Sequence, residues 1–229
     1  MPTIADDFVA SIARILNSAK VPCVIWGHCL LTLHGVPTIV DLLDFVVPDH
    51  LLAAGAKALP QSSRLAKCPG RGKCSSIAED RRTRPPAFHM HIDGKGCTVG
   101  LYPQSETLWF LPPLEESLST PTRSNIPAPY VLASDKTALP CWRPGRGAGA
   151  FKTEEHMVLA VRAHVLLEAF LRIYERDMGT QYQSFAMVMI CYMEDQLLDP
   201  LDKSFRRLKG DDVSTRQWAS ELRQALRGH

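Results

Sequence analysis

The sequence predicts an α/β (α+β) fold, in which a mixed sheet with flanking helices is followed by a helical C-terminal half. Residues 21–26 and 42–47 are short apolar runs, rich in Val and Ile, that end at Gly or Pro as strands do. Residues 87–92, AFHMHI, alternate polar and apolar side chains, and the turn sequence DGKG follows them. Apolar residues recur at helical spacing over long parts of the second half.

The predicted elements divide the chain into two regions. Residues 112–130 are rich in Pro and Ser, which is typical of a connection, so we expect a core at 1–130 and a helical region packed on it at 131–229. Thr3 and Asp6 resemble a capping box at the start of the first helix. In chain order the predicted elements are a helix at 3–19, strands at 21–26 and 42–47 with a short helix between them, a helix at 50–59, a hairpin at 87–103, a third strand at 106–111, and helices at 134–139, 153–176, 179–198 and from Ser214 onwards.

Length and composition are those of a globular protein. The 229 residues suit one large domain or two small ones, with 45% apolar and 22% charged residues. The 26 basic and 24 acidic residues nearly cancel, so the net charge indicates no nucleic-acid partner. The seven cysteines are odd in number and scattered, which favours reduced thiols. Without a visible signal sequence or an apolar stretch of ~18 residues, we expect a cytoplasmic protein with no membrane span.

Residues 21–49 hold the motif on which the functional prediction depends. The first apolar run ends at Gly27-His28, a short helical pattern follows, and the second run carries Asp44. This order resembles the opening of the nucleotidyltransferase fold, the polymerase-beta-like superfamily, in which Gly-Gly or Gly-Ser follows the first strand and Asp-x-Asp lies on the next. The resemblance implies a nucleotidyltransferase-like mixed sheet, a glycine turn that holds phosphate, and a third carboxylate on a later strand that helps to hold two magnesium ions.

The chain departs from this family in the residues that would hold the metal. Leu42 stands where the first carboxylate is expected and Asp44 keeps the second, whereas Asp41 is offset by one residue and turns to the opposite face of the strand. Magnesium needs oxygen ligands, and a leucine supplies none. We therefore expect that metal-dependent transfer is lost and that Trp26, Gly27 and Leu42 form a substrate-binding wall.

Three histidines and a further carboxylate complete the predicted catalytic set. His89, His91 and Asp93 alternate along one strand and share a face, which we predict points into the cleft near Asp44 and His28. Three interpretations of this group stay open: a transition-metal site, general acid–base or hydrogen-bonding catalysis by neutral histidine, and a solvated strand face. We predict His28, Asp44, His89, His91 and Asp93 as catalytic residues, with no bound metal.

The segment at residues 60–86 is strongly basic and is predicted to be a surface loop. Both a contact to phosphate or nucleic acid and a solvated insertion are open, and the lack of interleaved aromatic residues disfavours nucleic acid. Cys68 and Cys74 lie within this segment and can pair or bind metal, although their C-x5-C spacing is a weak zinc signature.

Three functions are compatible with these patterns. The phrases HGVP…DFVVPD and LYP…TLWFLPP resemble uncharacterised fungal proteins, some of which are encoded among secondary-metabolite genes. That resemblance implies a cofactor-independent cyclase or isomerase, such as a pericyclase of the Diels–Alderase kind, acting on an apolar small molecule. One alternative is an active nucleotidyltransferase that uses Mg and ATP, with Asp44 and Asp93 as ligands and Asp41 or Glu106 as a further candidate. The other is a non-catalytic pseudo-transferase that binds another subunit. The oligomeric state stays open.

Overall fold

The computed structural model describes residues 5–70, 74–94, 96–122, 124–152 and 157–197. The predicted helix from Ser214 onwards lies outside these ranges, as does Thr3, the predicted capping residue. Within the ranges, no helix combines the length and the apolar character that crossing a bilayer requires.

Seven strands of the described chain form one mixed sheet. In chain order they are β1 (Val24–Trp26), β2 (Leu42–Val47), β3 (Leu65–Ala66), β4 (Phe88–Ile92), β5 (Thr98–Pro103), β6 (Tyr130–Leu132) and β7 (Leu159–Val161). Their order across the sheet is β3-β4-β5-β2-β1-β7-β6. β2 runs parallel to β5 and antiparallel to β1, and β1 runs parallel to β7. The predicted α/β (α+β) class is confirmed.

Helices lie on both faces of the sheet. Those in the described ranges are α1 (Asp6–Ser18), α2 (Gly27–Leu33), α3 (Leu52–Ala58), α4 (Gln104–Thr107), α5 (Ala163–Arg176) and α6 (Gln183–Leu197). α1 and α3 cover one face, where Gly55 packs between Leu16 and Leu101. α5 covers the opposite face, where the rings of Trp26 and Phe170 lie 5.5 Å apart. Both faces of the central strands are therefore buried, as their continuous apolar runs require.

Several predicted helices begin at later residues in the structure, among them α3 at Leu52 and α6 at Gln183, where residues 50 and 179 were predicted. α1 begins after Ala5 without a side-chain cap, so Asp6 lies in its first turn, where a carboxylate stabilises the helix dipole. α5 begins only at Ala163, because residues 159–161 of the predicted helix 153–176 form β7. Short, fully buried strands and buried helical turns share an apolar pattern, and periodicity does not separate them. The predicted division at residue 130 stays a prediction, and the sheet takes strands from both sides of it.

Two other predicted elements are wrong. The predicted strand at 106–111 is instead the short α4 followed by turns. The side-chain amide of Gln104 stabilises these turns, because it donates to the carbonyl of Pro112 at 2.9 Å and accepts from the Leu114 N–H at 2.9 Å. The predicted helix at 134–139 is a pair of turns, in which the Asp135 carboxylate accepts from the Thr137 N–H at 2.9 Å.

A buried histidine connects the end of α2 to β7. His34 follows α2 and is 4% exposed, and its Nε2–H donates to the carbonyl oxygen of Val161 on β7 at 2.9 Å. Burial lowers the pKa of His34 to about 4, so the ring is neutral at ordinary pH.

Candidate functional site

A cleft lies on the α5 side of the sheet, at the end of β1. It encloses about 60 Å³. Its floor is formed by the ends of β1, β2 and β5, and its other walls come from the segment after residue 80 and from α5 and α6. The lining residues are Trp26, Gly27, His28, Leu42, Asp44, Arg81, Thr83, Arg84, Tyr102, Glu106, Thr107, Ile173, Arg176, Asp177, Tyr182 and Phe185.

The strand register sets which residues of β2 reach the cleft. Leu42 and Asp44 both line it, whereas Leu43 is fully buried on the opposite face. Asp41 precedes the strand and is exposed. The predicted sharing of one face by Leu42 and Asp44 is therefore confirmed, and Asp41 does not enter the cleft.

Two glycines make room for the Asp44 carboxyl group. Gly27 has φ +65°, a left-handed conformation that favours glycine, and a Cβ there would lie 3.3 Å from Asp44 Oδ2. Gly100 is paired with Asp44 on the adjacent strand β5, and a Cβ there would lie 2.5 Å from Asp44 Oδ1 and 3.1 Å from Pro86 Cβ. The carboxyl group thus occupies the space above Gly100, beside the turn that ends β1.

The row of residues across the sheet at Asp44 contains no second carboxylate. Trp26 on β1, Gly100 on β5 and His89 on β4 are its neighbours in register. None of these three residues is an acid, and Asp93, which was expected to supply a further carboxylate, lies outside this row.

Burial has a strong effect on the acidity of Asp44. It is 6% exposed, and burial raises its pKa to about 7, against the opposing effect of the Arg81 charge. Near neutral pH the carboxyl group therefore exists in both its protonated and its ionised form. Such a group can donate a hydrogen bond or exchange a proton at that pH.

Tyr102 holds the basic segment at the cleft. Its hydroxyl donates to the carbonyl oxygen of Arg84 at 3.2 Å and accepts from Arg81 Nη2 at 3.4 Å. Burial raises the pKa of Tyr102, and the nearby Asp44 adds to that effect, so the phenol stays protonated. Two arginines of the predicted surface loop are thereby held at the cleft.

An ion-pair group closes the cleft between the basic segment and α5. Arg84 Nη2 lies 2.7 Å from Asp177 Oδ1, and Arg176 Nε lies 2.9 Å from the same oxygen. Burial raises the pKa of the 1%-exposed Asp177, but the hydrogen bonds and charges of Arg176 and Arg84 outweigh it and hold the pKa below its usual value. The Arg84 guanidinium also lies over the ring of Tyr182, 5.1 Å from its centroid.

His28 lies in the first turn of α2, at the edge of the cleft. Its Nδ1 lies 3.0 Å from the carbonyl oxygen of Ile39, which only accepts, so Nδ1–H donates this hydrogen bond and Nε2 is the other polar atom of the ring. Its ring stacks on Phe185 with centroids 5.8 Å apart and planes inclined by 4°. His28 therefore belongs to the cleft, as predicted, in a fixed orientation.

The other predicted catalytic residues do not line the cleft. His89 and His91 point to the same sheet face as Asp44 by register, but they contact Cys74. Asp93 is exposed in the turn between β4 and β5. The structure therefore brings together Trp26, Gly27, His28, Leu42 and Asp44, and it separates His89, His91 and Asp93 from them.

The sequence patterns did not single out the arginines and aromatic residues of the opposite wall. Arg81 and Arg84 were included only in the net charge of residues 60–86. Asp177 lies just beyond α5, where nothing in a sequence distinguishes a buried acid from a solvated one. The sequence signal that could have indicated the position of these arginines was Pro85-Pro86, which ends the segment next to β4 and turns it back over the sheet.

Comparison with known proteins adds a distant structural match. No protein-family model matches the chain, and no curated protein matches it. Among solved structures, the chain is similar to the antibiotic-resistance factor ANT(2'')-Ia at 13% sequence identity and a TM-score of 0.37, over 99% of this chain and 100% of that chain. A TM-score this low does not establish a shared fold, and the functional assignment therefore rests on the residues of this chain.

Proposed function

We propose that the cleft binds an apolar small molecule and accelerates its cyclisation or isomerisation without a metal or cofactor. The observation that carries the proposal is the setting of Asp44, a buried acid between Trp26 and Gly100, with Leu42 two residues before it. Leu42 stands where the resemblance to nucleotidyltransferases implies a carboxylate, and leucine offers magnesium no ligand. A pericyclase of natural-product biosynthesis, such as a Diels–Alderase, fits this setting.

Asp44 would act as a hydrogen-bond donor or proton donor to the substrate. With a pKa of about 7, its neutral form is available at physiological pH to polarise a carbonyl group. A single donor that is aimed at developing charge contributes ~10²–10³ in rate. Because bonds form and break within one substrate molecule, the product keeps the substrate's composition and no co-reactant is needed.

Apolar side chains would hold the substrate in a reactive conformation. Trp26, Leu42, Ile173 and Phe185 line the cleft around Asp44. Confinement of this kind lowers the entropy cost of cyclisation. His28, held by its contact with Ile39, would offer Nε2 as a second polar group.

The substrate would enter through the ion-pair group. The cleft encloses about 60 Å³, whereas pockets for small organic ligands usually measure about 300–1,000 Å³. Separation of Arg84 from Asp177 would move the basic segment away from α5 and enlarge the space above Asp44. Binding and opening are thus coupled in this proposal.

A thermal-shift screen with two matched variants tests the proposal. Wild type, Asp44→Asn and Asp41→Asn are each screened against polycyclic terpenoid and polyketide compounds and against Mg-ATP and the other nucleoside triphosphates. A ligand at ~100 times its Kd adds about 2.7 kcal/mol to the free energy of unfolding. We expect an apolar compound to stabilise wild type and Asp41→Asn, and to be turned over to an isomer by both but not by Asp44→Asn.

The opposite outcome would restore the nucleotidyltransferase alternative. That alternative is favoured by one observation, the presence of Glu106 in the same cleft as Asp44. Stabilisation by Mg-ATP that EDTA and Asp44→Asn both abolish would contradict a metal-independent cyclase.

A further inference from the structure

A second cluster of reactive side chains lies outside the cleft, beside β4. Cys74 Sγ lies 3.2 Å from His89 Nε2 and 3.2 Å from His91 Nε2. Cys68 completes the group, and the four donor atoms all lie within 4.8 Å of one another. The cluster is half-buried, with Cys74 itself buried.

We propose that Cys68, Cys74, His89 and His91 bind one zinc ion as a tetrahedral Cys₂His₂ site. Two thiolates and two imidazoles are the donor set of structural zinc. Zinc bonds of ~2.0–2.3 Å place neighbouring donors about 3.3–3.8 Å apart, so the spacing in this cluster needs little adjustment. Because four protein donors fill a tetrahedral shell, the ion would have a structural role.

Strand alternation and strand pairing bring these four side chains together, which their spacing in the sequence does not reveal. Alternation along β4 turns His89 and His91 to one face, and β3 pairs with β4 through Ala66 and His91, which delivers Cys68 two residues later. The hydroxyl groups of Ser76 and Thr98 hydrogen-bond at 2.9 Å and hold the segment after Cys74 against β5. The C-x5-C spacing is therefore completed by a histidine pair from a neighbouring strand.

The site would hold the basic segment over the sheet. Cys74 and Ser76 lie a few residues before Arg81 and Arg84, which reach the cleft. Zinc is thus assigned an anchoring function that does not depend on the reaction proposed for Asp44.

Metal analysis and cobalt substitution test the site. The protein is purified with a thiol reductant and without added chelator, and its zinc content is measured by mass spectrometry of the elements. We expect about one zinc ion per chain. Replacement by Co²⁺ should give the intense visible bands of tetrahedral cobalt and a thiolate-to-cobalt charge-transfer band.

Matched variants separate ligand loss from unfolding. Cys68→Ser and Cys74→Ser should lose the charge-transfer band and the bound zinc, whereas Cys141→Ser, at an exposed cysteine outside the cluster, should keep both. His89→Cys should retain tetrahedral cobalt with a stronger charge-transfer band, which a misfolded variant would not do.

Three results would overturn the proposal. The first is reduced protein that contains no zinc and binds no Co²⁺. The second is an unchanged cobalt spectrum in Cys74→Ser. The third is a disulfide between Cys68 and Cys74 in protein that was purified with reductant, because a disulfide would remove both thiolates. Its readout is a peptide that contains both cysteines and whose mass is lower by two hydrogens.

Discussion

The burial of the Asp44 carboxyl group depends on the two glycines beside it. Its carboxyl group is enclosed by the Gly27 turn on one side and by the bare backbone of Gly100 on the other. The Arg81 charge compensates only part of the cost of burying it, which is why its pKa rises to about 7. The side chain therefore needs space, and glycine at position 100 supplies it.

Substitution of Gly100 tests this dependence directly. Gly100→Ala should lower the free energy of unfolding by about 1–3 kcal/mol, because the new Cβ overlaps Asp44 Oδ1 and crowds Pro86. In an Asp44→Ala background the cost should be smaller, since only the Pro86 contact remains. Urea titrations measure both values.

Gly96→Ala is the matched control for that experiment. A Cβ at Gly96 meets no atom within 4 Å, so we expect a change within about 0.5 kcal/mol. Equal costs for Gly100→Ala in both backgrounds would mean that Asp44 does not occupy the space above Gly100.

At the residue scale, the sequence predicted what depends on alternation alone. Leu42 and Asp44 share the cleft face because side chains in a strand alternate with period two. The same rule grouped Asp93 with His89 and failed, because β4 ends at Ile92 and Asp93 begins the turn. Alternation holds only as far as the strand continues, and turn positions set that limit.

At the scale of elements, the basic segment and α5 form one unit through Asp177. The segment contributes Arg84, α5 contributes Arg176, and the buried carboxylate of Asp177 binds both. Arg176 also donates to the Glu106 carbonyl at 2.7 Å, which ties α4 into the same unit. The sequence predicted α5 and the segment separately, because a buried ion pair between distant residues leaves no local pattern.

Neutralisation of Asp177 should loosen that unit. Asp177→Asn removes the charge that two arginines share, and we expect the free energy of unfolding to fall by about 3 kcal/mol. The loss should be smaller than for a fully buried ion pair, because Arg84 is 39% exposed. The measurement is urea unfolding, with hydrogen exchange of the segment as a local readout.

The pair of Arg172 and Glu168 provides the comparison. Their atoms are also 2.7 Å apart, but Glu168 is 31% exposed whereas Asp177 is 1% exposed, so Glu168→Gln should cost about 0.3–0.5 kcal/mol. A similar loss in both variants would show that the burial of Asp177 contributes nothing to the closure of the cleft.

At the scale of the whole molecule, two buried titrating groups have opposite effects on the pH dependence of stability. Folded His34 binds its proton only below about pH 4, whereas the unfolded chain does so below 6.5, so its contribution to stability is lost as the pH falls between these values. Folded Asp44 keeps its proton up to about pH 7, whereas the unfolded chain loses it near 3.8, so its contribution is lost as the pH rises. Each effect is on the order of 3 kcal/mol.

The pH dependence of unfolding should expose this balance. Between about pH 4 and 6.5 the two slopes nearly cancel in the wild type. Asp44→Asn removes one of them, so its free energy of unfolding should rise with pH over that range, and His34→Gln should show the opposite slope. Parallel curves for wild type and both variants, measured by urea titration, would refute the assignment.

The parallel pairing of β1 with β7 has a consequence for how the chain assembles during synthesis. Val24 pairs with Leu159, so one edge of β1 can form its hydrogen bonds to β7 only after more than half of the chain has emerged from the ribosome. Until then the nascent sheet presents unpaired backbone beside Trp26, whose ring partner Phe170 comes later still. Such an edge is a template for pairing with other chains, and contacts this distant in sequence form slowly. The yield of folded protein in a cell would therefore depend on protection of the N-terminal half during translation.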